Sequence, residues 1–261
     1  MKIDNMFFSK KITFKKIYFA MLILITLLPG ALTAQNYVVG VQNFKEYLPY
    51  STYQNNDYSG FNRELLDLFA SVNGYNFEYR ALPIKRLYSD FLEGKVDLKY
   101  PDSPFWSKNL KEGIDVIYSD ALVEYIDGVI VKTERLNAGI ESLKTLGMIG
   151  GFTPFAYLGR INDNKISVQE VFNIEGLLRQ VNSGRVDGAY LNTMVSQYYI
   201  DKTLGQGTKL VFDPDLPFSK GTRHLSTIKY PELIANFNKF LIEHKAEVDT
   251  LKEKYKVILD Y

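Results

Sequence analysis

Apolar segments of strand length and of helix length alternate along the first part of the chain. Residues 37–42 form a β-branched run, and apolar residues then recur with helical spacing over residues 61–72. Residues 75–79 alternate like a second strand, and residues 84–92 repeat the helical spacing. Strands that alternate with helices are typical of a mostly parallel sheet covered by helices, so the sequence predicts an α/β fold.

A short motif occurs twice in the chain. Gly94-Lys-Val-Asp97 and Gly184-Arg-Val-Asp187 each follow an amphipathic segment and each lead into a strand-like run. Such helix-to-strand corners are common in any α/β protein, so the repetition alone leaves open whether the chain forms one domain or two lobes. An apolar run at residues 143–151 favours two lobes, because it has the features of the first strand of a second lobe. A further apolar pattern, over residues 231–251, predicts a helix that packs on the first lobe.

The predicted organisation has two lobes joined by two crossings of the chain. We expect the crossings near residues 127–132 and 224–229. Lobe 1 then consists of residues 35–127 and 229–261, and lobe 2 of residues 132–223. Two crossings make a hinge, so we expect the lobes to close on a ligand.

The first 34 residues have the composition of a secretory signal peptide. Five lysines precede an apolar run at residues 17–28, and small residues follow up to Ala34. The apolar run is shorter than the roughly 20 residues that span a bilayer, which favours cleavage near Ala34 over an uncleaved anchor. The chain has no cysteine, so no lipid can be attached to a mature N-terminal cysteine. We therefore expect a soluble protein in the periplasm.

The charge of the chain argues against a nucleic-acid partner. Removal of the leader takes five of the 31 basic residues and one of the 30 acidic residues, which leaves 26 and 29 and a net charge of −3. Nucleic-acid binding requires a basic stripe instead. The absence of cysteine excludes disulfides and thiolate metal sites, and the chain has no phosphate-binding loop. We expect a monomer without a cofactor.

Five segments, taken together and in order, resemble the solute-binding protein family 3 of ABC importers. They are Gly60-Phe61 with Leu65, Gly94-Lys-Val-Asp97, Ile117-Tyr-Ser-Asp120, Gly184-Arg-Val-Asp187 and Lys229-Tyr-Pro-Glu-Leu233. The resemblance implies the type II periplasmic binding fold, in which two α/β lobes close on a ligand at the ends of their strands. It also implies that the protein delivers a small polar solute to the membrane permease of an ABC importer.

The chain departs from this resemblance at the residues that hold amino-acid ligands. Amino-acid-binding members have an arginine shortly before the Phe-Ser-Asp-like motif, and it binds the ligand carboxylate. Residues 107–115 contain no arginine. Members also have an aspartate just beyond the second-lobe strand, where this chain has the neutral Asn192. Both residues with which the family holds an amino acid, the arginine and the aspartate, are therefore replaced in this chain. We expect Asn192 to contact a different ligand.

Candidate ligand contacts in lobe 1 lie where its strands should end. Lys99, Tyr100 and Asp102 come at the end of a predicted strand, and the only tryptophan, Trp106, follows them. An aromatic wall with a few polar groups is what a small-ligand site requires. The alternatives are that Lys99 and Asp102 pair on the surface and that Trp106 fills the core.

Two further candidates in lobe 1 come from a loop and a helix. Tyr50, with Tyr47 and Tyr53, lies in the loop after the first strand and could close over the ligand or only stabilise the loop. Arg86 begins the second helix, and it could point into the cleft or into solvent.

In lobe 2, Gly151, Phe152 and Thr153 lie at a predicted turn into a helix. Free N–H groups at such a turn favour an anion or a carbonyl oxygen. Thr153 is equally explained as an N-cap before Pro154. We interpret Asp187, which lies inside a strand, as structural.

Two other functions remain open at this stage. The protein could relay its ligand to a membrane sensor, or it could be a periplasmic dehydratase, an activity found in some relatives of this fold. Neither His224 nor His244 lies near a recognised catalytic motif, and the chain has no nucleophile elbow. We therefore expect a binding protein and not an enzyme.

Overall fold

The computed structural model describes residues 34–202, 204 and 207–257. The leader predicted at residues 1–34 lies outside the described residues, except for Ala34. Among the described residues, no helix is both long enough and apolar enough to span a bilayer.

Strands and helices alternate along the described chain. The strands are β1 (Gln35–Gln42), β2 (Glu46–Tyr47), β3 (Ser51–Gln54), β4 (Asp57–Ser59), β5 (Tyr75–Leu82), β6 (Leu98–Asp102), β7 (Ile117–Tyr118), β8 (Val123–Lys132), β9 (Thr145–Ile149), β10 (Ser167–Val171), β11 (Gly188–Asn192), β12 (Leu210–Phe212) and β13 (Ser219–Thr227). The helices are α1 (Phe61–Asn73), α2 (Ile84–Leu92), α3 (Leu158–Asn162), α4 (Ile174–Asn182), α5 (Thr193–Lys202), α6 (Pro231–Glu243) and α7 (Lys245–Tyr255).

One sheet connects two groups of parallel strands. Its strand order is β10-β9-β11-β8-β13-β6-β1-β5, with β12 paired to β8 and β7 paired to β13. β1 pairs in parallel with β5 and β6, and β9 pairs in parallel with β10 and β11. We call the elements packed on the β5-β1-β6 group the first lobe, and those packed on the β10-β9-β11 group the second lobe. The predicted α/β class, with a mostly parallel sheet in each lobe, is confirmed.

Two long strands join the lobes. Residues 219–223 of β13 pair antiparallel with residues 123–127 of β8. We call this two-stranded segment the crossing ribbon. Beyond it, β13 continues into the first lobe, where His224 and Ser226 pair with β6, while β8 continues into the second lobe and pairs with β11.

The motif that occurs twice in the sequence forms the same corner in both lobes. The backbone N–H of Asp97 donates to the Val38 carbonyl, and the Asp97 carboxylate accepts from the Val38 N–H, both at 2.8 Å. In the second lobe, the N–H of Asp187 donates to the Thr145 carbonyl at 3.0 Å, and its carboxylate accepts from the Thr145 N–H at 2.7 Å. Each aspartate therefore ties the end of a helix-to-strand corner to the central strand of its lobe.

Each lobe also packs a helix against a glycine of its central strand. A Cβ atom on Gly40 would lie 2.6 Å from Leu87 of α2, and one on Gly147 would lie 2.6 Å from Leu177 of α4. A separation below 3.0 Å is too short for a real carbon contact. The two leucines are fully buried, so the glycines permit a close approach of helix and sheet in both lobes.

The C-terminal segment packs on the first lobe, as the sequence predicts, but as two helices. The predicted single helix over residues 231–251 is broken at His244, whose φ of −113° and ψ of 31° end α6 before α7 begins. Phe237 and Phe240 of α6 lie 5.0 and 5.4 Å from Phe69 of α1, measured between ring centroids. The segment at residues 43–59, for which only a polar loop was expected, contains the small β2-β3-β4 sheet.

Replacement of Asp187 by alanine should lower the free energy of unfolding by about 1–3 kcal/mol, because the partly buried corner loses the acceptor for the N–H groups of residues 144 and 145. Urea denaturation followed by circular dichroism measures the change. Asp163→Ala is the matched control, since Asp163 lies at the surface beside Lys165 and its loss should cost no more than about 0.5 kcal/mol. Equal losses in the two variants would contradict the structural role of the corner.

Candidate ligand-binding site

A cleft lies between the two lobes. Its empty space measures about 570 Å³, including its opening to solvent, which is within the usual range for small-molecule sites. Both lobes contribute to the lining, which is rich in aromatic residues. The aromatic lining residues are Tyr47, Tyr88, Trp106, Tyr125, Phe152, Phe155 and Tyr190.

One face of the crossing ribbon forms the floor of the cleft. Alternate residues of paired strands point to the same side, and Tyr125, Asp127, Ser219 and Arg223 all line the cleft. Gly221 pairs with Tyr125 across the ribbon. A Cβ atom on Gly221 would lie 2.8 Å from the Tyr125 hydroxyl oxygen, so the glycine leaves room for the tyrosine side chain.

Arg223 is the most deeply buried charged side chain of the cleft, with 1% of its surface exposed. Its Cζ atom lies 3.6 Å from the ring centroid of Tyr50 and 5.6 Å from that of Tyr47. Its Nε and Nη1 atoms have no hydrogen-bond partner among the described residues. Buried polar groups are normally paired, because each unpaired one costs stability. Arg223 therefore has hydrogen-bonding capacity that the surrounding side chains do not use.

Asp127 is the second charged residue of the lining. Burial raises the pKa of its carboxyl to about 6, although the Arg223 charge and a hydrogen bond from Asn192 both act to lower it. The Asn192 amide donates to Asp127 Oδ1 at 3.1 Å and to the Ile126 carbonyl at 3.2 Å. Asn192, predicted as a ligand contact, is itself buried behind the lining and holds Asp127 in position.

Lys99 and Asp102 form a buried charge cluster behind the cleft. Asp102 Oδ1 lies 3.0 Å from Lys99 Nζ and 2.9 Å from Lys111 Nζ, and Asp102 Oδ2 accepts from the Ser226 hydroxyl at 2.8 Å. Burial lowers the pKa of Lys99 to about 8. Burial acts to raise the pKa of Asp102, but the two lysines hold it below its usual value.

Tyr88 separates this charge cluster from the cleft. Lys99 Nζ lies 4.2 Å from the centroid of the Tyr88 ring, and Tyr88 itself lines the cleft. The strand that carries Lys99, Tyr100 and Asp102 runs from Leu98 to Asp102, and all five of its residues are buried. The three residues that were predicted to lie at its end are therefore inside the strand, and none of them is part of the lining.

Four of the predicted site residues line the cleft. They are Trp106, Gly151, Phe152 and Thr153. Trp106 is half-buried, and its indole N–H donates to the Tyr125 hydroxyl at 2.9 Å. The structure therefore brings Trp106 of the first lobe together with the turn at residues 151–153 of the second lobe.

The turn at residues 151–153 lacks the helix that the sequence predicts after it. A short 3₁₀ turn covers Phe155–Tyr157, and the α-helix begins only at Leu158 and has five residues. No α-helix begins directly after Thr153, so the helix N-terminus that was expected to favour an anion here is not formed. The ligand contact of these residues stays a prediction. These residues contribute a wall to the cleft.

Two other predicted contacts lie away from the lining. Tyr50 is fully buried beneath the Arg223 guanidinium and supports it from below. Arg86 has a largely exposed side chain and pairs with Asp90 at 2.6 Å on the surface of α2.

The sequence interpretation missed Arg223, Asp127 and Tyr125. The sequence signal that could have found these residues is their spacing. Residues 125 and 127 on one crossing strand, and residues 219 and 223 on the other, are an even number of residues apart, so on each strand they lie on one face. The predicted return crossing began at residue 224, just past Arg223. The polar segment at residues 219–223 shows no apolar alternation that marks it as a strand.

The two lobes also make direct contacts at the edges of the cleft. Lys85 Nζ lies 3.1 Å from the Glu170 carboxylate, and the Tyr199 hydroxyl donates to the Glu46 carbonyl at 2.8 Å. These contacts join residues of the first lobe directly to residues of the second. Within the described part of the chain, no group of three or more histidine and carboxylate side chains is placed to hold a metal ion.

Comparison with known proteins supports the fold. No protein-family model matches the chain, and no curated protein matches it in sequence. An ancestral arginine-binding protein bound to arginine is similar in structure, with a TM-score of 0.69 and 20% identity over 85% of this chain and 99% of that one. An arginine-transport periplasmic binding protein from Legionella pneumophila has a TM-score of 0.68 and 18% identity over 85% of this chain and 100% of that one.

A sensor domain of a histidine kinase, described as similar to periplasmic binding proteins, is also a structural neighbour. Its TM-score is 0.71 and its identity is 19%, over 88% of this chain and 99% of that one. These similarities show that the chain has the periplasmic-binding-protein fold. The predicted two-lobed type II architecture is confirmed.

Replacement of Asp127 by asparagine should change the pH dependence of stability. The folded-state pKa of about 6 lies above the ordinary value of 3.8, so wild-type stability is lost as the pH rises through this interval. The variant lacks this loss, and its stability relative to wild type should increase between pH 4 and 7, by about 3 kcal/mol at most.

Thermal unfolding at several pH values measures this difference. Asp163→Asn is the matched control, because it makes the same substitution at an exposed site. A constant difference between Asp127→Asn and wild type over the whole range would contradict the raised pKa of Asp127.

Proposed function

We propose that the protein is a periplasmic solute-binding protein that captures a small polar molecule in the cleft and delivers it to the permease of an ABC importer. The observation that carries this proposal is the composition of the cleft, since both lobes line one site whose floor is the ribbon that joins them. Ligand sites in open α/β folds commonly lie between such units. The structural neighbours that are transport proteins support the same proposal.

We further propose that the lobes close about the crossing ribbon. The sequence predicts crossings near residues 127–132 and 224–229, between lobe 1 (residues 35–127 and 229–261) and lobe 2 (residues 132–223). The crossing ribbon lies slightly earlier in the chain, at residues 123–127 and 219–223, and we propose that the lobes meet there. The contact between Lys85 and Glu170 belongs to the closed form in this proposal, and a ligand that touches both lobes would favour that form.

We propose binding without catalysis. Asp127 and Arg223 are the charged residues of the lining, and neither histidine belongs to it. The His224 ring contacts the Thr222 hydroxyl and the Ser119 carbonyl, each at 2.7 Å, and the His244 ring lies 3.3 Å from Glu247 on the surface. These contacts account for both histidines structurally, so the dehydratase alternative lacks a positioned histidine acid or base.

A relay to a membrane sensor is the second candidate function. The similarity to a histidine-kinase sensor domain favours it, because that protein uses the same fold for sensing. Deletion of the gene separates the two functions. Loss of ligand uptake would support the importer function, and loss of a transcriptional response with normal uptake would support the relay.

We propose that the leader directs export and is removed near Ala34. The mass of the protein recovered from the periplasm should be lower than that of the full chain by about 34 residues, because signal peptidase removes a basic and apolar leader. Intact-protein mass spectrometry measures this difference. A soluble periplasmic species of full length would refute the proposed cleavage.

Replacement of Trp106 by alanine should weaken ligand binding much more than folding. The indole is a half-buried wall of the cleft, and its loss should cost about 1–3 kcal/mol of binding, or roughly tenfold to more than a hundredfold in affinity. The mature protein would be screened by thermal shift against amino acids, amines, sugars and organic acids. Calorimetry with each compound that binds then compares the variant with wild type.

Phe105→Ala is the matched control, because Phe105 is adjacent in sequence, 65% exposed and not part of the lining. It should leave the affinity unchanged. Normal affinity of the Trp106→Ala variant would show that the ligand does not occupy this cleft.

A further inference from the structure

More positive than negative side chains lie around the cleft. Arg223 and Asp127 lie in the lining, and two lysines face a single carboxylate, that of Asp102, behind Tyr88. Three positive and two negative side chains therefore surround the site, whereas the exported part of the chain carries an excess of three negative charges. This local positive charge is buried, so solvent screens it weakly.

Arg223 also has donors for which the described residues supply no acceptor. Its Nε and Nη1 atoms are unpaired among the described residues, and aromatic rings cover much of the guanidinium. Tyr50 and Tyr47 place π-faces near this cation. A π-face attracts a cation but offers no acceptor to the unpaired Nε and Nη1 donors. An oxyanion is the partner that such a group binds most strongly.

From these observations, and on the basis of the solute-binding function proposed above, we infer that the ligand carries a carboxylate and that Arg223 binds it. The ligand class is a small organic acid whose body packs against the aromatic lining. Arg223 lies on the return strand of the crossing ribbon, so this carboxylate contact would be made by the element that joins the lobes.

The cleft does not carry the excess of negative charge that would bind a basic ligand. Asp127 is the one carboxylate of the lining in the described structure, and it shares the ribbon face with Arg223. A ligand with a net positive charge would have to enter a site that already contains unpaired positive charge, and its desolvation would not be compensated. Carboxylates should therefore bind more tightly than their neutral or cationic analogues.

The first experiment varies ligand charge at constant shape and uses the unmodified mature protein. One series is benzoate, benzamide and benzylamine, and the other is succinate, succinamide and putrescine. Thermal shift and calorimetry measure binding, and within a series the carboxylate should bind about tenfold to a hundredfold more tightly than the amide. Tighter binding of the amide or amine, or no binding of either carboxylate, would overturn the inference.

The second experiment changes the arginine. Arg223→Gln should weaken binding of the best carboxylate by about tenfold to a hundredfold, and Arg223→Lys should weaken it less because the charge is kept. Arg179→Gln is the control, since it removes the same charge from an exposed helix position paired with Glu175. Equal carboxylate affinity in Arg223→Gln and wild type would overturn the assignment of Arg223. The ligand series above remains decisive if Arg223→Gln does not fold.

Failure of this inference can be distinguished from failure of the proposed function. A neutral or cationic compound that binds wild type and depends on Trp106 would refute the carboxylate assignment and uphold solute binding in the cleft. The absence of binding across the whole library of amino acids, amines, sugars and organic acids would refute both.

Discussion

Residues 123–127 and 219–223 pair as an antiparallel ribbon, and the two parallel strand groups attach to its opposite ends. This pairing determines both how the lobes are joined and which side chains face the cleft. Because side chains alternate along a strand, the register that places Asp127 opposite Ser219 also places Arg223 on the same face. A slip of one residue would turn that face away from the cleft, so the chemistry of the site depends on this register.

The buried polar groups in and behind the cleft differ in how many hydrogen-bond and ion-pair partners the protein gives them. Asp127 receives a hydrogen bond from Asn192, and Asp102 is surrounded by Lys99, Lys111 and a serine hydroxyl. Arg223 instead lies on the Tyr50 ring, and its Nε and Nη1 donors have no partner in the described part of the chain. Groups with complete partners hold the walls in place, while a group with incomplete partners lowers stability and is available to a ligand. This contrast separates structural charges from the candidate binding charge.

Local features of the fold could be predicted from the sequence, since they depend on neighbouring residues. The helix at residues 84–92 has the predicted bounds, and both Gly-x-Val-Asp motifs form corners. Trp106 and the turn at residues 151–153 line the cleft because they follow strand ends. Arg223 and Asp127 could not be assigned to the site in this way, since their shared face depends on pairing between residues about a hundred positions apart and β13 lacks an apolar pattern in its first half.

The similarity to amino-acid-binding proteins extends to the fold, whereas the two positions that the resemblance assigns to ligand contacts are altered in this chain. Asn192 occupies the position expected for an acidic ligand contact, and the structure uses it to support Asp127 on the neighbouring strand. The negative charge of the lining is therefore on the crossing ribbon, at Asp127, and not at the end of β11, and Arg223 lies on the same ribbon. A ligand that pairs with ribbon charges contacts the segment shared by both lobes, so its binding energy acts directly on the element about which they would close. In that case, one pair of strands couples ligand binding to closure of the lobes. The coupling does not require that each lobe hold a different end of the ligand.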